Sequence, residues 1–478
     1  MTEYSNLING QWKKSVSDKK FVSTNPANPK EEIGVFTNST REETVEAIVT
    51  AAEAFNSWSQ MPPPARGEIL YKASQEIDKN FEELATTLTK DEGKTISSAR
   101  GEIARGRDIF RYFGSHGWRA MGSVMPPYQQ NQMLYSFREP LGVVSIITPW
   151  NFPFALCSWK IAPALIYGNT VVFKPASPAP LIGLKLVECL VNAGIPNGVI
   201  NAVIGSGSVV GDEMATNPLV SAISFTGSVG VGKQVYANGA KHSARVQCEL
   251  GGKNPLVVLR DADIKLAAKL AVVGGFGLTG QACTATSRVI VENAIADEFV
   301  NELVRQTKEQ IVGDGMDPKT NVGPVVDKSQ LETDTNYIQI GVEEGANLLI
   351  GGTVQEGTLF FSPAVFDHVK PEMRIAQEEI FGPVISVIRV DDFDEAMTVA
   401  NGVEFGLSAG VVTNDLRKAF DFAQRIQAGV VKINDITTGL LLHLPFGGFK
   451  NSSVNTFKEQ GEAAVEFYTR LKTVYLNY

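Results

Sequence analysis

From residue 141 to residue 433 the chain alternates short runs that are apolar on both faces with runs of helical period, and few folds accommodate that pattern. Strands are expected over 143–148, 170–173, 199–203 and 220–225, with helices over 160–167, 181–192, 209–216 and 229–238 between them. A strand without a polar face has to be covered on both sides, as in a parallel sheet wrapped by helices. After 249–253 the alternation restarts, with strands expected over 255–259, 288–291, 346–350, 384–390, 410–413 and 429–433. The fold class is α/β, with two doubly wound parallel-sheet domains, the first of them Rossmann-like. Helices are expected ahead of it over 41–58, 65–91 and 97–118. Residues 122–138, with Pro126-Pro127 and a polar turn, read as a hairpin leaving the body, and residues 471–475 read as a strand. Unpaired strand edges are a liability, so this arm is expected to find a partner sheet, typically in another subunit.

Composition narrows the class of function. Length alone, 478 residues, favours two or three domains over one core. The net charge is 43 − 52 = −9, without a long basic cluster, which argues against nucleic acid and against an anionic membrane surface. No signal-peptide pattern opens the chain, and the apolar runs are too short to span a bilayer, so a cytoplasmic location is expected. Cys157, Cys189, Cys248 and Cys283 form no CxxC pair, and His116, His242, His368 and His443 lack ligand spacing, so neither a disulfide framework nor a metal site is expected.

Cys283 is the nucleophile candidate. A helical run over 264–273 leads into Gly274-Gly275-Phe276-Gly277-Leu278-Thr279-Gly280, whose glycines permit turns closed to other residues, and the thiol follows directly. A lone cysteine is more often a small buried hydrophobe, but this one stands at a loop end, outside any apolar period. Phe225-Thr-Gly227-Ser228-Val-Gly-Val-Gly ends a strand and opens a helix, a setting in which backbone N–H groups approach a pyrophosphate, although the spacing is not GxGxxG. Glu249 lies beside two glycines between the two α/β units, a place that suits a general base reaching into an interdomain cleft, although taken alone a solvated surface carboxylate is the better reading. Asn151 follows the strand over 143–148, at the carboxyl edge of the sheet, where its amide suits an oxyanion.

Seven motifs occur in order: Thr148-Pro-Trp-Asn-Phe-Pro, Phe173-Lys-Pro-Ala, Phe225-Thr-Gly-Ser, Glu249-Leu-Gly-Gly-Lys, Gly280-Gln-Ala-Cys, Glu378-Glu-Ile-Phe-Gly-Pro and Pro445-Phe-Gly-Gly-Phe-Lys. Together they resemble the NAD(P)-dependent aldehyde dehydrogenase superfamily over nearly the whole chain. The stretch 276–288 is most similar to the 2,5-dioxopentanoate (α-ketoglutaric semialdehyde) dehydrogenases. The resemblance implies that Cys283 attacks the aldehyde, that Asn151 and the Cys283 N–H hold the oxyanion, and that Glu249 activates water against the thioester. It makes Lys160 and Glu459 a proton relay from that base. It places NADP or NAD against Ile147, Thr148, Pro149, Trp150, Lys174, Ser177, Gly227, Ser228, Glu379 and Phe381. It implies a cofactor-binding domain over 1–118 and 139–249, a catalytic domain over 250–452, and an oligomerisation arm of 119–138 with 453–478, hence a homodimer or homotetramer.

The same resemblance bears on specificity. In NAD-preferring relatives the third residue after the lysine of the Lys-Pro motif is often glutamate; Ser177 stands there, so NADP is expected to be accepted. A short semialdehyde ending in a carboxylate needs a cation, and Arg105 matches the position where relatives acting on anionic aldehydes carry arginine, with Phe152 bordering the same channel. The competing reading is a solvated helix face, with Glu102 and Asp108 pairing with Arg105, Arg107 and Arg111. Succinate semialdehyde or broad-range aliphatic aldehydes are the substrate alternatives, and a cofactor-independent thiol esterase is the alternative of another class. Two departures stand out. Lys450-Asn-Ser-Ser453 lacks the glycine that usually follows, and Cys248 is a second thiol beside Glu249.

Overall fold

The computed structural model describes residues 2–478. Its first sheet runs in the order Arg245–Glu249, Val220–Thr226, Val143–Ile147, Thr170–Lys174 and Ile200–Ala202, all parallel. The N-terminal strands Asn6–Ile8 and Gln11–Lys13 extend it antiparallel, with Leu7 opposite Ala202. Period-two alternation sorts the side chains: Val144 and Ile146 enter one core, Val143 and Ile147 the other. The helix Arg41–Gln60 supplies Ala47, Ile48 and Ala51 to the second core. The helices Pro63–Lys79, Phe81–Glu92 and Ile96–Ser115 pack with Ala155–Ile166 and Pro180–Asn192 on the first. The expected helix over 65–91 is thus two helices, divided at Asn80.

The second sheet has the order Asn347–Ile350, Ala364–Asp367, Val384–Val390, Thr286–Glu292, Asn254–Val258, Ser408–Val412 and Val430–Ile433. Only the edge strand Asn347–Ile350 is antiparallel. Both sheets are therefore covered on two faces, as the alternation requires. The sequence reading passes over the helix Lys328–Glu343, and the reason is physical: only Asp334 and Gly341 are fully buried on it, and Leu331, Tyr337, Ile338 and Ile340 pack on the core only half-buried, so its apolar stripe is weak. Its start is marked instead by Asp327, whose side chain accepts from the Gln330 N–H.

The arm is a three-stranded antiparallel sheet in which Gln132–Pro140 lies between Gly122–Met125 and Thr469–Asn477. The hairpin's expected partner strand belongs to this same chain: Thr469 pairs with Pro140 and Asn477 with Gln132. Preceding it, the short helix Ala463–Tyr468 is packed into the first core through Ala464, Phe467 and Tyr468. No helix among the described residues is long and apolar enough to cross a membrane.

Asp334 gives the second domain a pH signature. It is fully buried, its Oδ1 accepts from Gln330 Nε2 at 2.7 Å, and its Oδ2 has no partner. Burial pushes its carboxyl up to about 7, against about 3.9 in an unfolded chain. Between those values the folded state keeps a proton that the unfolded state has lost, so its contribution to stability falls as pH rises. Asp334→Asn should accordingly gain melting temperature relative to the parent between pH 5 and pH 8; an identical difference at both pH values would contradict this.

Candidate active site

Glu249 ends the strand Arg245–Glu249 and points into the cleft between the sheets, 1% exposed. Gln247, two residues earlier, shares its face, and its Nε2 donates to Glu249 Oε1 at 3.1 Å. The N–H of Gly448 donates to Oε2 at 3.2 Å. Gly447 has to be glycine, since its φ is +158° and a Cβ there would lie 2.7 Å from Glu249 Oε1. Lys160, on the helix Ala155–Ile166, donates to Glu459 and, at 2.9 Å, to Ser224 Oγ; that hydroxyl donates to Gln247 Oε1 at 2.9 Å. Lys160 and Glu459 therefore meet as expected, but their link to Glu249 runs through Ser224 and Gln247. Sequence reasoning missed both, and their signal was a polar residue in an otherwise buried strand, in step with Glu249. Burial and then Glu459 raise the Glu249 carboxyl well above its ordinary value, against the opposing pull of Lys160, Gly448 and Gln247.

Cys248 faces the other way. It is fully buried, its Sγ directed at Gly232 O at 3.7 Å, and burial raises its thiol to about 12, which removes the reason to expect redox chemistry beside the base. Cys157 and Cys189 are buried as well, whereas Cys283 is half-buried at the cleft.

The loop carrying Cys283 is built differently from the sequence expectation. Gly274 and Gly275 lie inside the helix Ile264–Phe276, where a Cβ would strike Thr286 Oγ1 at 2.5 Å and Ile385 Cδ1 at 2.7 Å. Those glycines serve close packing of helix on sheet, not flexibility. The turn is made by Leu278, Thr279 and Gly280, all left-handed, with φ of 54°, 58° and 70°. Two non-glycine residues in that region store strain that surrounding contacts must hold. Thr279 Oγ1 donates to Gly323 O at 3.0 Å, and Gln281 Oε1 accepts from the Val326 N–H at 2.9 Å. Asn151 Nδ2 donates to Gln281 O at 3.0 Å, which sets the amide beside the cysteine; its second N–H is not used in that contact. Among the described residues no protein acceptor meets the Cys283 N–H. Burial, Glu379 and Glu249 push the Cys283 thiol up, and its own N–H pulls the other way.

Across the cleft, a cavity of about 410 Å³ is lined by Ile147, Lys174, Phe225, Val231, Gln234 and Asn238 among others. Burial lowers the Lys174 ammonium to about 8, and its one protein acceptor is the adjacent Pro175 O at 3.2 Å. Ser177 lies nearby with its Oγ 3.4 Å from Gly205 O. Ser228 is the N-cap of the helix Val229–Ala240, yet its side chain caps no N–H, so that positive helix end stays open to an anion. Gly227 is fixed there by donation to Glu249 O at 3.1 Å. Glu379 folds against the Gly251-Gly252 turn, accepting from the Gly252 N–H at 2.8 Å, and burial raises its carboxyl to about 7. Trp150 and Phe381, the latter left-handed at φ 64°, meet edge to face at 5.5 Å, with Pro149 half-buried beside them. Thr148 is turned inward, 3.3 Å from Cys157 Sγ.

Arg105 carries no ion pair. Glu102 pairs with Lys94, and Asp108 pairs with Arg107 and Arg111. Arg105 instead donates to Leu440 O and, at 2.8 Å, to Gln460 Oε1, and lies 5.6 Å from the Trp159 ring centre. Trp159 Nε1 and Gln460 Nε2, on the same wall, have no acceptor. Burial lowers Arg105 to about 10. Phe152 is half-buried next to Asn151. At the missing glycine, the left-handed turn falls on Lys450, φ 51°, and Ser452 ties it down by accepting from the N–H groups of Gly406 and Leu250.

Residues 12–474 match the aldehyde dehydrogenase family. The chain belongs to that family. It is 47% identical to the α-ketoglutarate semialdehyde dehydrogenase of Haloferax volcanii, with 100% of both chains covered. It is 45% identical to the α-ketoglutaric semialdehyde dehydrogenase of Bacillus subtilis, covering 99% of this chain and 98% of the relative. Against the 2,5-dioxopentanoate dehydrogenase of Saccharolobus solfataricus the identity is 43%, over 99% of each chain. Among solved structures, betaine aldehyde dehydrogenase of Staphylococcus aureus in complex with NAD+ superposes with a TM-score of 0.96 at 34% identity, covering 99% of this chain and 94% of that one. An NADP-dependent enzyme of E. coli superposes equally, TM-score 0.96 at 33% identity, covering 100% of this chain and 98% of that one. In this aldehyde dehydrogenase Asn151 lies against the Cys283 loop, Glu249 lies against the Gly447-Gly448 turn, and the cavity is lined by Lys174 and by Val231 of the helix that Ser228 opens.

Proposed function

We propose that this aldehyde dehydrogenase oxidises a short semialdehyde that ends in a carboxylate, 2,5-dioxopentanoate in the first place, with NADP or NAD. The observation that carries the substrate class is Arg105, a half-buried guanidinium that meets no carboxylate among the described residues and lies against Trp159 and Gln460, each with an N–H donor that lacks an acceptor. The semialdehyde relatives over the full length support the same choice.

Cys283 Sγ attacks the carbonyl carbon, and the oxyanion is received by the Asn151 Nδ2 hydrogen not given to Gln281 O and by the Cys283 N–H. The thiol rests protonated, because burial and two carboxylates disfavour the thiolate; it gives its proton to solvent as Sγ attacks, and the thiolate released from the thioester takes one back. As the oxyanion collapses, the carbon loses hydride and becomes a thioester. Glu249 takes a proton from water, the water oxygen attacks, and the Cys283 thiolate leaves with the carboxylic acid formed. Gln247 and Ser224 tie Glu249 to the Lys160–Glu459 pair and orient it; their N–H and O–H groups all point toward Glu249, so the proton it takes from water returns to solvent. A base raised above the ordinary carboxylate range is the stronger one near neutral pH.

The nicotinamide cofactor supplies the hydride acceptor. The groups that would hold it are Lys174 and Ile147 at the cavity, the open helix end at Gly227–Ser228, which would receive the pyrophosphate, Glu379, which would receive the nicotinamide ribose, and Thr148, Pro149, Trp150 and Phe381, which would lie near the ring. Ser177, uncharged, brings no repulsion to a 2′-phosphate, and Lys174 attracts it, so NADP is accepted. In domain terms, residues 1–118 with 139–249 bind the cofactor and 250–452 carry the cysteine. Residues 119–138 with 453–478 form the assembly arm, hinged on the packed helix Ala463–Tyr468. The arm's outer strands expose Val124, Leu471 and Tyr475, which supports a homodimer as building block, alone or paired into a tetramer.

The cofactor and assembly readings are checked by kcat/KM with NADP, expected within about ten-fold of that with NAD, and by light scattering, expected to show no stable monomer. The substrate reading is checked by Arg105→Ala. A partly desolvated guanidinium–carboxylate contact is worth ~1.5–3 kcal/mol. The variant should raise KM for 2,5-dioxopentanoate about ten-fold to a hundred-fold while leaving hexanal nearly unaffected. Equal losses on both aldehydes would give Arg105 a structural role only.

A further inference from the structure

Lys94 belongs to none of the motifs and takes no part in the relay, yet its side chain is fully buried against the turn that carries Asn151. Its Nζ donates to Glu102 Oε2 at 2.6 Å and to the main-chain oxygen of Asn151 at 2.7 Å, with Glu92 Oε2 at 3.6 Å. It also stands 4.7 Å from the centre of the Phe152 ring. The other oxygen of Glu102 accepts from the N–H groups of Phe154 at 2.9 Å and Ala155 at 3.0 Å. One ion pair therefore grips residues 151–155 from both ends. Burial alone would drive the proton from Lys94, but Glu102 and Glu92 outweigh it and hold the ammonium charged. Charge-assisted bonds of this kind are the stronger ones.

The same turn reaches across the cleft. Ile96 N–H donates to Gly315 O at 2.8 Å. A Cβ on Gly315 would lie 2.3 Å from Lys94 O, and one on Gly323 would lie 2.3 Å from Gly93 O, so the two backbones are in direct contact. Gly323 O holds Thr279, the Val326 N–H holds Gln281, and Asn151 Nδ2 returns to Gln281 O. The contacts form a closed ring: the Lys94 turn, the 315–326 loop, the strained loop before Cys283, and Asn151.

We propose that Lys94, locked to Glu102, is a positioning residue for the acylation step, setting the Asn151 carboxamide against the Cys283 loop from across the cleft. The proposal rests on reading Asn151 as the oxyanion donor. A residue that acts through Asn151 loses its effect once Asn151 is gone, whereas a merely structural residue does not.

The test is a double-mutant cycle read as the rate constant of the pre-steady-state burst of reduced cofactor, at saturating 2,5-dioxopentanoate and NADP. Lys94→Met is combined with Glu102→Gln so that the ion pair is removed as a unit, and Glu92, whose carboxyl burial already raises to about 7, is left to hold a proton. The pair should slow the burst about ten-fold to a hundred-fold in the parent, but less than about two-fold in an Asn151→Ala background. Cofactor affinity, followed by quenching of protein fluorescence, should be unchanged. Equal slowing in both backgrounds, or no slowing in the parent, overturns the role of Lys94. An unaltered burst in Asn151→Ala alone overturns the oxyanion assignment and the proposal with it. If the pair variant does not fold, Lys94→Arg, which keeps the charge but changes its reach, enters the same cycle and the same outcomes decide.

Discussion

Two carboxylates, Glu249 and Glu459, are buried in one polar network with a single ammonium, Lys160, and that arithmetic governs the chemistry of the cleft. One cation cannot neutralise two buried anions, so the affinity of the network for a further proton is raised. Lys160 bonds Glu459, and the strained position falls to Glu249, which meets only a side-chain amide and a backbone N–H. A carboxyl in that setting is a weak acid and hence a capable base when the thioester needs water. Gln247 and Ser224 bridge it to the ammonium by hydrogen bonds that all point toward Glu249 and so fix its orientation.

The cleft is assembled from both lobes, and neither holds a complete site. Glu249, Asn151 and Lys160 come from the first sheet and its helices, while Cys283 and Glu379 come from the second. What keeps them in register is main-chain contact: Asn151 on Gln281 O, Gly252 on Glu379, and Gly315 and Gly323 against the Lys94 turn. These contacts explain the glycines at 251 and 252 better than any need for flexibility does. A Cβ on Gly251 would sit 2.1 Å from Glu379 Oε2, so the turn is small in order to admit a carboxylate.

Much of this was legible in the chain itself. Alternating apolar runs identify both sheets, because a strand buried on two faces leaves no other reading. The motifs bring Cys283, Glu249, Asn151, Lys160 and Glu459 into one cleft. What escaped has a common physical origin, in that it depends on contacts between distant segments. Gly274 and Gly275 look like loop residues until Thr286 and Ile385 are seen against them. The helix Lys328–Glu343 has only a weak apolar stripe, because Leu331, Tyr337, Ile338 and Ile340 stay half-buried on the core. Ser224 and Gln247 are single polar residues in buried strands, silent without the lysine they meet. Arg105 is ambiguous in sequence, and it was Lys94, by taking Glu102, that left it without a carboxylate.

The division of labour between Cys283 and Glu249 is tested most directly by rapid mixing of Glu249→Gln with aldehyde and cofactor. Glutamine keeps the size and the hydrogen bonds but cannot accept a proton from water. The account expects about one equivalent of reduced cofactor per site in a fast first turnover, followed by a steady state slowed at least about a hundred-fold. Full steady-state turnover in this variant would contradict it, because the thioester would then be losing its acyl group without the buried base.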